Sequence, residues 1–337
     1  MGTEKGADAV ARFNVTEMKS GGIIKQKQRD AFTVRLRLPG GRVGAEKLPV
    51  IARVADEYGQ GYVHLSVRQT VEIPYVLYDR LEDCLAELAK AGLSPSSCGP
   101  RVRVPIACSG CELNPNGNIE TQRMAQEIDR RWFGTPTPHK FKINISGCPI
   151  DCMAARRADL GIIGITEPKL DAGLCTGCEL CVAKCGDDAL TMTEDLPLRD
   201  VFKCIGCGDC IHVCPLDALG AGRTGMEVWA GGKWGKRPRA AQRVARWVAE
   251  EQLDGVIERT LAWYREHAQG RERLGAIFDR EGIAGYQEQV FGSLSADGVE
   301  LEMPPAGAPV AWKVPPAAPD GASLDLQGGG TMEGRGA

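Results

Sequence analysis

The placement of cysteine constrains this chain more than any other feature of its sequence. Twelve of its fourteen cysteines fall into three groups, and the last two groups read CTGCELCVAKC and CIGCGDCIHVCP. Both follow the spacing C-x2-C-x2-C-x3-C, in which short loops let successive thiolates converge on one cluster of iron and sulfide. Structural zinc, the alternative, uses a single tetrad with wider gaps between its pairs. The spacing therefore favours iron–sulfur clusters.

Bacterial ferredoxins carry this spacing, and in them the fourth cysteine of each run ligates the cluster of the other run. We therefore predict two [4Fe–4S] clusters with exchanged ligands. The first is predicted to be held by Cys175, Cys178, Cys181 and Cys214. The second is predicted to be held by Cys204, Cys207, Cys210 and Cys185.

The sequence also indicates the cellular compartment and the kinds of partner to expect. The stretch MGTEKGADAVARFNVTEMK has no apolar core of the signal-peptide type, and no segment approaches the uninterrupted apolar length of a membrane span. We therefore expect a cytoplasmic chain without membrane insertion, in which thiols stay reduced and cysteine clusters bind metal instead of forming disulfides. A formal net charge of −3 argues against a nucleic-acid partner.

Hydrophobic periodicity predicts alternating strands and helices near the start of the chain. FTVRLRLPGG is typical of a half-buried strand whose inward face carries Val34, Leu36 and Leu38. A helix follows and ends at Gly59, and a second helix over 79–91 places Cys84 in the core. Between them YVHLSV is predicted as a strand that buries Val63, Leu65 and Val67, and VEIPYVL as another. The pattern predicts an αβ sandwich with a mostly antiparallel sheet.

The second half is predicted to contain a domain that the two ferredoxin runs interrupt. Core strands are predicted over 141–146 and 159–166, and after the runs the chain resumes with the strand MEVWAGG. A long amphipathic helix is predicted next, with an apolar stripe of Val244, Trp247, Val248, Val256, Ile257, Leu261 and Tyr264. An insertion therefore accounts for the runs more simply than an appended module.

The third cysteine group lies in ISGCPIDCMAARRADLGIIG, which resembles the signature of the siroheme-dependent nitrite and sulfite reductases. The resemblance extends to DAFTVRLRLPGGRV, GYVHLSVRQTVEIP, RVRVPIACSGC and MEVWAGGKWGKRPR. With one copy of the family repeat and an internal ferredoxin segment, the chain is most similar to sulfite reductase subunits of the anaerobic and dissimilatory types.

The resemblance implies an α+β fold in five parts. These are a ferredoxin-like half-domain at 1–78, a siroheme and [4Fe–4S] domain of mixed sheet with helices at 79–168 and 223–300, an inserted 2[4Fe–4S] ferredoxin domain at 169–222, and a tail at 301–337. The tail is rich in Pro, Gly and Ala, and we expect it to be disordered because it cannot bury enough apolar surface.

The resemblance also implies a third [4Fe–4S] cluster, coupled to siroheme through a shared thiolate. Its ligands would be Cys108, Cys111, Cys148 and Cys152, with Cys152 bound to the siroheme iron. The family usually has C-x5-C in the first pair, whereas here Cys108 and Cys111 are separated by two residues and Asn114 stands at the usual position. Either Cys111 completes the cluster from a shortened loop, which we favour, or the site is altered; Cys98 is a fallback ligand.

The family binds its anionic substrate with two arginines and two lysines, which match Arg68, Arg103, Lys140 and Lys142. Alternation along HKFKINIS places Lys140, Lys142 and Asn144 on one face. A bound anion would explain two adjacent ammonium groups, although lysines also occur on ordinary solvated strand edges. Further cations would bind the carboxylates at the siroheme periphery, and the candidates are Arg35, Arg37, Arg42, Lys233, Lys236 and Arg237. Gly231 and Gly232 would let the backbone come close to the macrocycle.

We therefore predict an oxidoreductase that reduces sulfite to sulfide with six electrons relayed through the ferredoxin clusters. Nitrite reduction to ammonia at the same site is the alternative. A further alternative, of another class, is a non-catalytic electron-transfer or structural subunit of a sulfite reductase complex. No flavin or nicotinamide motif accompanies the cysteines, so we expect a protein donor, such as a ferredoxin or a reductase subunit, and an oligomer.

Overall fold

Two larger β-sheets and one small hairpin organise residues 14–301, the part of the chain that the computed structural model describes. Residues 1–13 and nearly all of the predicted tail, 302–337, lie outside the described residues. The helices are α1 (Val15–Ser20), α2 (Leu48–Tyr58), α3 (Leu81–Lys90), α4 (Thr121–Trp132), α5 (Leu180–Lys184), α6 (Asp209–His212), α7 (Glu250–His267), α8 (Leu274–Glu281) and α9 (Ala284–Phe291). The strands are β1 (Ile23–Lys25), β2 (Ala31–Arg35), β3 (His64–Leu65), β4 (Val71–Leu77), β5 (Ile106–Ala107), β6 (Ile143–Ser146), β7 (Leu160–Leu170), β8 (Leu190–Thr193), β9 (Leu196–Arg199), β10 (Leu219–Ala230), β11 (Gln242–Val248) and β12 (Glu300–Leu301).

The first sheet is antiparallel, with strand order β1-β2-β4-β3, and helices α2 and α3 supply apolar side chains to its core. Val34, Leu36 and Leu38 are buried as predicted, and so is Cys84. The predicted strand YVHLSV is wrong in its burial, because β3 is only two residues long and Leu65 and Val67 are 74% and 96% exposed. Alternation alone cannot distinguish a buried strand from a sheet edge whose outer face has no neighbour.

The second sheet has strand order β12-β11-β10-β7-β6-β5 and is mixed. The β5–β6 and β6–β7 pairs are parallel, and the other pairs are antiparallel. Apolar side chains of α4, α7, α8 and α9 join those of the strands in one core, which includes Met124, Ile143, Ile162, Val256 and Phe291. Mixed sheets with helices packed against them place the chain in the predicted α+β class.

The predicted long helix after the ferredoxin runs is wrong in its first part. Val244, Trp247 and Val248 lie in β11, which pairs with β10, and the helix α7 begins only at Glu250. The side chain of Gln252 accepts the Ala249 N–H at 2.9 Å and so fixes that start. Val244 and Val248 fit a helical period as well as a strand, so the change of element at 249 was not visible from periodicity.

The segment 171–218 leaves and re-enters the second sheet through neighbouring strands. β7 and β10 form a long antiparallel ladder that runs from Leu160 opposite Ala230 to Leu170 opposite Leu219. The segment holds α5, α6 and the hairpin β8–β9. Among residues 14–301 there is no helix with the length and apolar character needed to cross a bilayer.

Candidate functional site

Two cavities in the segment 171–218 are each lined by one cysteine quartet. The outer cavity, with about 390 Å³ of space, is lined by Cys175, Cys178, Cys181 and Cys214. The inner cavity, with about 380 Å³, is lined by Cys185, Cys204, Cys207 and Cys210. The fourth cysteine of each run thus faces the cavity of the other run, which is the arrangement that exchanged cluster ligation requires.

The thiols of each quartet line the wall of a cavity. A cubane is ligated at separate corners, so its cysteines surround a space instead of meeting at a point. The geometry of both quartets is therefore compatible with [4Fe–4S] clusters.

The inner cavity lies against the second sheet, and the outer cavity lies at the far end of the β7–β10 ladder. Thr166 of β7 donates its N–H to the Gly206 carbonyl, between two inner cysteines, at 2.9 Å. The side-chain amide of Asn118 donates to the same carbonyl at 3.5 Å. The backbone N–H of Asn118 donates to the Gly147 carbonyl at 2.7 Å. The outer cavity instead contacts the last ladder residues, Leu170 and Leu219. Asn118 therefore joins the inner quartet to the glycine that precedes Cys148.

Three of the four cysteines in the remaining group come together. Cys108 Sγ accepts the Gly147 N–H at 3.0 Å. Burial raises the pKa of the Cys148 thiol, and the neighbouring Cys108 and Cys152 add to this shift. A Cβ at Gly147 would lie 2.9 Å from the Gly110 Cα and 3.4 Å from Cys108 Sγ, so only glycine lets the two loops approach this closely.

Cys111 is placed differently from its three neighbours. Its thiol is exposed and donates to Glu120 Oε1 at 3.5 Å, and burial of part of the side chain together with this hydrogen bond raises its pKa. Cys98, the fallback ligand, is buried beside Arg35, whose Nη1 donates to its Sγ at 3.2 Å. The structure therefore brings together Cys108, Cys148 and Cys152, and turns Cys111 toward Glu120.

A hydrogen-bonded turn presents Cys152 at the surface. Ser146 Oγ donates to Asp151 Oδ1 at 2.7 Å and accepts the Met153 N–H at 3.2 Å. Asp151 Oδ1 also accepts the Ala155 N–H at 2.6 Å. Asp151 adopts a left-handed backbone conformation (φ 58°), which a short polar side chain tolerates better than most. The thiol of Cys152 is thus exposed on a turn whose backbone is fixed.

Asn144 connects this turn to the predicted substrate-binding cations. Its Nδ2 donates to the carbonyl oxygens of Met153 and Ala154 at 2.8 and 3.3 Å. Its Oδ1 accepts from Arg68 Nη1 at 3.0 Å, and Arg68 Nη2 donates to the Val104 carbonyl at 2.7 Å. A buried amide with all of these bonds holds one orientation, so the Arg68 guanidinium is positioned relative to the Cys152 turn.

The four predicted substrate-binding cations form one cluster. Each lies close enough to another to affect its pKa: Arg103 lowers that of Arg68 and Lys140, and Arg68 lowers that of Lys142. Arg103 is fixed by bonds from its Nη1 and Nη2 to the carbonyls of Ser97 and Gly99, at 2.7 and 3.1 Å. The structure therefore collects four cations from three separate parts of the sequence.

Asp159 is the buried acid at the base of this cluster. Its side chain is fully buried, and Arg273 donates to both of its oxygens at 2.8 and 2.7 Å. It also accepts the Lys142 N–H at 2.9 Å. The positive charge of Arg273 offsets the one negative charge of Asp159. The positive charges of Arg68, Arg103, Lys140 and Lys142 therefore remain in excess. The cluster therefore favours an anion.

Burial lowers the pKa of the basic groups of the cluster. It lowers the pKa of Lys142 to about 8, with Arg68 as the next cause, and lowers that of Arg68 to about 10. Burial and the nearby Arg273 also lower the pKa of His139, to about 4. At pH 7 the arginine and most of the Lys142 population are charged, whereas the imidazole is neutral. Lys142 is thus poised as a proton donor.

Several candidates for the siroheme periphery have partners within the protein. Arg35 is paired with Glu72, Arg37 with Asp129 and Arg42 with Glu112, all with shortest N–O distances between 2.6 and 2.8 Å. A Cβ on Gly231 would meet the Phe278 ring at 2.6 Å, and one on Gly232 the Ala158 carbonyl at 2.6 Å. Protein packing therefore accounts for both glycines. Lys233 pairs through its backbone with Arg239. A contact of these residues with a macrocycle stays a prediction.

Sequence reasoning did not predict Asp159, Arg273 and His139 as parts of this site. It placed Asn144 only on the same strand face as the two lysines. Arg273 lies more than a hundred residues from Asp159 along the chain, so no local spacing joins them. Asp159 did carry one signal, because it opens an otherwise apolar core strand. A charged residue at the start of such a strand indicates a buried ion pair or a site.

Comparison with known proteins identifies the family. A family model described as the nitrite and sulphite reductase 4Fe–4S domain matches residues 98–296. A second, the nitrite/sulfite reductase ferredoxin-like half domain, matches residues 24–91. The chain belongs to the nitrite and sulphite reductase family. This confirms the resemblance seen in the sequence, and membership makes the protein an iron–sulfur oxidoreductase of a family that binds siroheme and [4Fe–4S].

Members of the family resemble this chain over most of its length. It is 32% identical over 273 residues to the coenzyme F420-dependent sulfite reductase of Methanocaldococcus jannaschii, a match that covers 80% of this chain and 44% of that protein. It is 30% identical over 289 residues to a subunit of the anaerobic sulfite reductase of Salmonella typhimurium, a match that covers 79% of this chain and 85% of that protein. The chain thus spans less than half of the first relative and most of the second.

Solved structures share the fold. Dissimilatory sulfite reductase I superposes with a TM-score of 0.67 at 22% identity, covering 88% of this chain and 76% of that one. The NirA protein of Mycobacterium tuberculosis gives a TM-score of 0.62 at 20% identity, covering 91% of this chain and 51% of that one. The nitrite and sulphite reductase fold is therefore confirmed.

The donor sets fit the cofactors of the family. Soft thiolates around the two inserted cavities and around Gly147 suit iron–sulfur clusters. The thiol of Cys152 is exposed and stands on a fixed turn. Cys152 is the residue that would hold the siroheme iron beside the cluster.

Proposed function

We propose that this protein reduces sulfite to sulfide in a six-electron reaction at siroheme, with a [4Fe–4S] cluster held by Cys108, Cys111, Cys148 and Cys152. One observation carries the proposal: Asn144 joins the turn that presents Cys152 to a cluster of four cations. An electron-transfer site alone has no use for four converging cations. An enzyme that binds and protonates an oxyanion does.

The cation cluster would bind the substrate and supply protons. Arg68 and Arg103 are held by backbone carbonyls and present fixed positive charge to the anion. Each oxygen that leaves as water needs two protons, and Lys142, with a pKa of about 8, gives up a proton more readily than an ordinary lysine. Asp159 holds the Lys142 backbone in place and so keeps the ammonium group on the substrate side of the strand.

Siroheme, when bound, supplies an iron centre through which electrons from the cluster reach the substrate. Cys152 is the residue that would hold its iron, as the exposed thiol on the turn next to Cys148. Burial of Cys148 and the packing of Gly147 against Gly110 shield the inner side of the cluster from water. The siroheme would bind on the exposed side of the cluster.

We further propose the order in which electrons travel through the chain. They enter at the outer quartet, pass to the inner quartet and continue to the central cysteines. Two contacts support this order, namely the Thr166 bond to the inner loop and the double contact of Asn118 with Gly206 and Gly147. The donor would be a protein, and the relatives named as sulfite reductase subunits support assembly with further chains.

An absorption titration of anaerobically purified protein tests this proposal. The expected result is a set of siroheme bands that shift on addition of sulfite in the wild type. In the Lys140→Ala/Lys142→Ala variant we expect full siroheme loading but weakened sulfite shifts and turnover. An iron–sulfur spectrum without siroheme bands, in protein with full cluster content, would instead favour the non-catalytic alternative.

Nitrite reduction to ammonia is the second candidate. Ferredoxin–nitrite reductases of Zea mays and Synechococcus elongatus are 31% and 32% identical to this chain over about half of its length. The same cations can bind either oxyanion. Comparing kcat/KM for the two anions with one reductant decides between them, and we expect the larger value for sulfite.

A further inference from the structure

The outer cavity lies beneath a surface that has the composition of a docking site. Leu174, Leu180 and Leu216 are each between 44% and 50% exposed, and the last two also line the cavity. Apolar side chains above a redox centre bring a partner close and exclude water from the contact. We call these three residues and the acids around them the outer face.

The rim of the outer face is acidic. Among the described residues that line the outer cavity, Glu179 is the only Asp, Glu, Lys or Arg. Asp171 and Asp217 adjoin lining residues, the Asp195 carbonyl approaches Gly177, and all four acids are exposed. Lys169 is the one cation next in sequence to a described lining residue. The local charge around the apolar centre is therefore strongly negative.

The acidity belongs to the inserted segment and not to the whole protein. Residues 171–218 contain nine Asp or Glu and three Lys or Arg, whereas the whole chain has a net charge of only −3. The remainder of the chain is therefore slightly basic. A field confined to one end of a molecule orients an approaching partner of opposite charge.

A second exposed apolar site on the segment lacks this charge pattern. Phe202 is 97% exposed near the inner quartet, and charges of both signs adjoin it. The carboxylate of the exposed Asp200 accepts its N–H at 2.9 Å, Lys203 is exposed and basic, and Arg199 is paired with Glu167. Phe202 therefore serves as an internal control for apolar exposure next to balanced charge instead of an acidic rim.

We propose that the outer face is the docking surface for a protein electron donor whose own redox centre is surrounded by basic side chains. This deepens the proposed function, since it rests on electron entry at the outer quartet. The donor contacts Leu174, Leu180 and Leu216 with an apolar patch, and its lysines or arginines face Glu179, Asp171 and Asp217. One electron passes from the donor's centre to the cluster of the outer quartet for each encounter.

Electron exchange with a basic probe protein tests the surface in the holoprotein. The reduced protein is mixed anaerobically with ferricytochrome c, a basic haem protein that becomes reduced as a cluster becomes oxidised, at several salt concentrations. We expect a rate that falls as salt rises. The Glu179→Gln/Asp217→Asn variant should be slower at low salt by about threefold to tenfold and nearly independent of salt. Both positions have a left-handed backbone, which Asn tolerates at 217 as Asp does, and Gln keeps the shape of the Glu179 side chain.

Matched variants distinguish an effect of the outer face on electron exchange from a general effect of changed charge or stability. Glu82→Gln/Asp83→Asn removes the same charge from the exposed side of α3 and should match the wild type. Leu174→Ser should slow the reaction, whereas Phe202→Ser should not. Oxidation by a small neutral quinone should be equal in every variant. If Glu179→Gln loses iron, Asp171→Asn/Asp217→Asn removes two charges without touching the loop between Cys178 and Cys181.

The outcomes distinguish this proposal from the proposed function. A Glu179→Gln/Asp217→Asn protein that keeps the wild-type rate and salt dependence overturns the docking surface, as does equal slowing by Phe202→Ser. Normal sulfite reduction alongside that result leaves the enzyme proposal standing. Slowed, salt-independent exchange in a protein that never reduces sulfite supports the surface and contradicts the enzyme.

Discussion

The inserted segment and the central cysteine site solve the same ligation problem in different ways. In the segment 171–218 both quartets surround cavities of similar size, with the exchange of the fourth cysteine already in place. In the central site Cys108, Cys148 and Cys152 are together, but Cys111 is bonded to Glu120. The segment is arranged by its own short loops, whereas the central site depends on loops from distant parts of the chain.

This difference teaches which part of the site carries specificity. A ferredoxin module needs only thiolates and short loops, and its sequence contains nearly all of that information. The central site adds a cation cluster, a buried acid and the Asn144 bridge. These groups come from β6 and from the loops that precede β4, β5, β6, β7 and α8. We interpret the segment as the relay and the central site as the place of reaction.

The largest expected effect separates the two regions by function. Cys178→Ser and Cys207→Ser should each abolish turnover with a protein donor, because one cluster of the relay is lost. Siroheme absorption and sulfite binding should persist, since the central site is built from other residues. Steady-state assays and absorption spectra measure both. Loss of siroheme in both variants would instead make the segment a folding element.

Lys142→Ala should lower sulfite turnover by about 10²–10³, the usual cost of removing one preorganised donor to developing charge. Cluster content and folding should not change, because Lys142 lies just before β6 with a partly exposed side chain, and such a side chain contributes little to stability. The matched control is Lys169→Ala, an exposed lysine of β7 outside the cation cluster. Equal turnover in the two variants would contradict the role of Lys142.

Replacing Asn144 tests the bridge between the two halves of the central site. Asn144→Leu removes the bonds to Arg68 and to the Cys152 turn, and we expect turnover to fall by about tenfold to 100-fold through misplacement of these groups. Asn144→Asp keeps the acceptor for Arg68 and should retain more activity. A KM that rises with unchanged kcat in Asn144→Leu would show that the bridge serves binding only.

The pH profile should reflect the lowered pKa of Lys142. Its protonated form is the active one, so turnover should fall by about tenfold for each pH unit above about 8. Lys142→Arg should lower turnover and remove this limb near pH 8, because a guanidinium keeps both its charge and its proton. A limb that stays near pH 8 in Lys142→Arg would assign the titration to another group.

Sequence reasoning succeeded where chemistry is local and failed where it is tertiary. The grouping of Cys175 with Cys214 around one cavity follows from spacing alone. The placement of Lys140 and Lys142 on one strand face stays a prediction, because β6 begins only at Ile143. The ion pair of Asp159 with Arg273 joins a core strand to the start of α8, and no local pattern encodes that contact. Leu65 and Val67 show the converse, because an alternating pattern there does not produce burial.

The central site offers the most direct test of the comparison, through a count of acid-labile sulfide per polypeptide chain in anaerobically isolated protein. Three cubanes contribute about twelve sulfides, and Cys111→Ser should lower this number toward about eight while both inserted clusters remain. Cys84→Ala, at a buried cysteine outside all three groups, should leave the count unchanged. About eight sulfides in fully loaded wild type would contradict the account, because Cys111 would then stay with Glu120 and the central cysteines would hold no cubane.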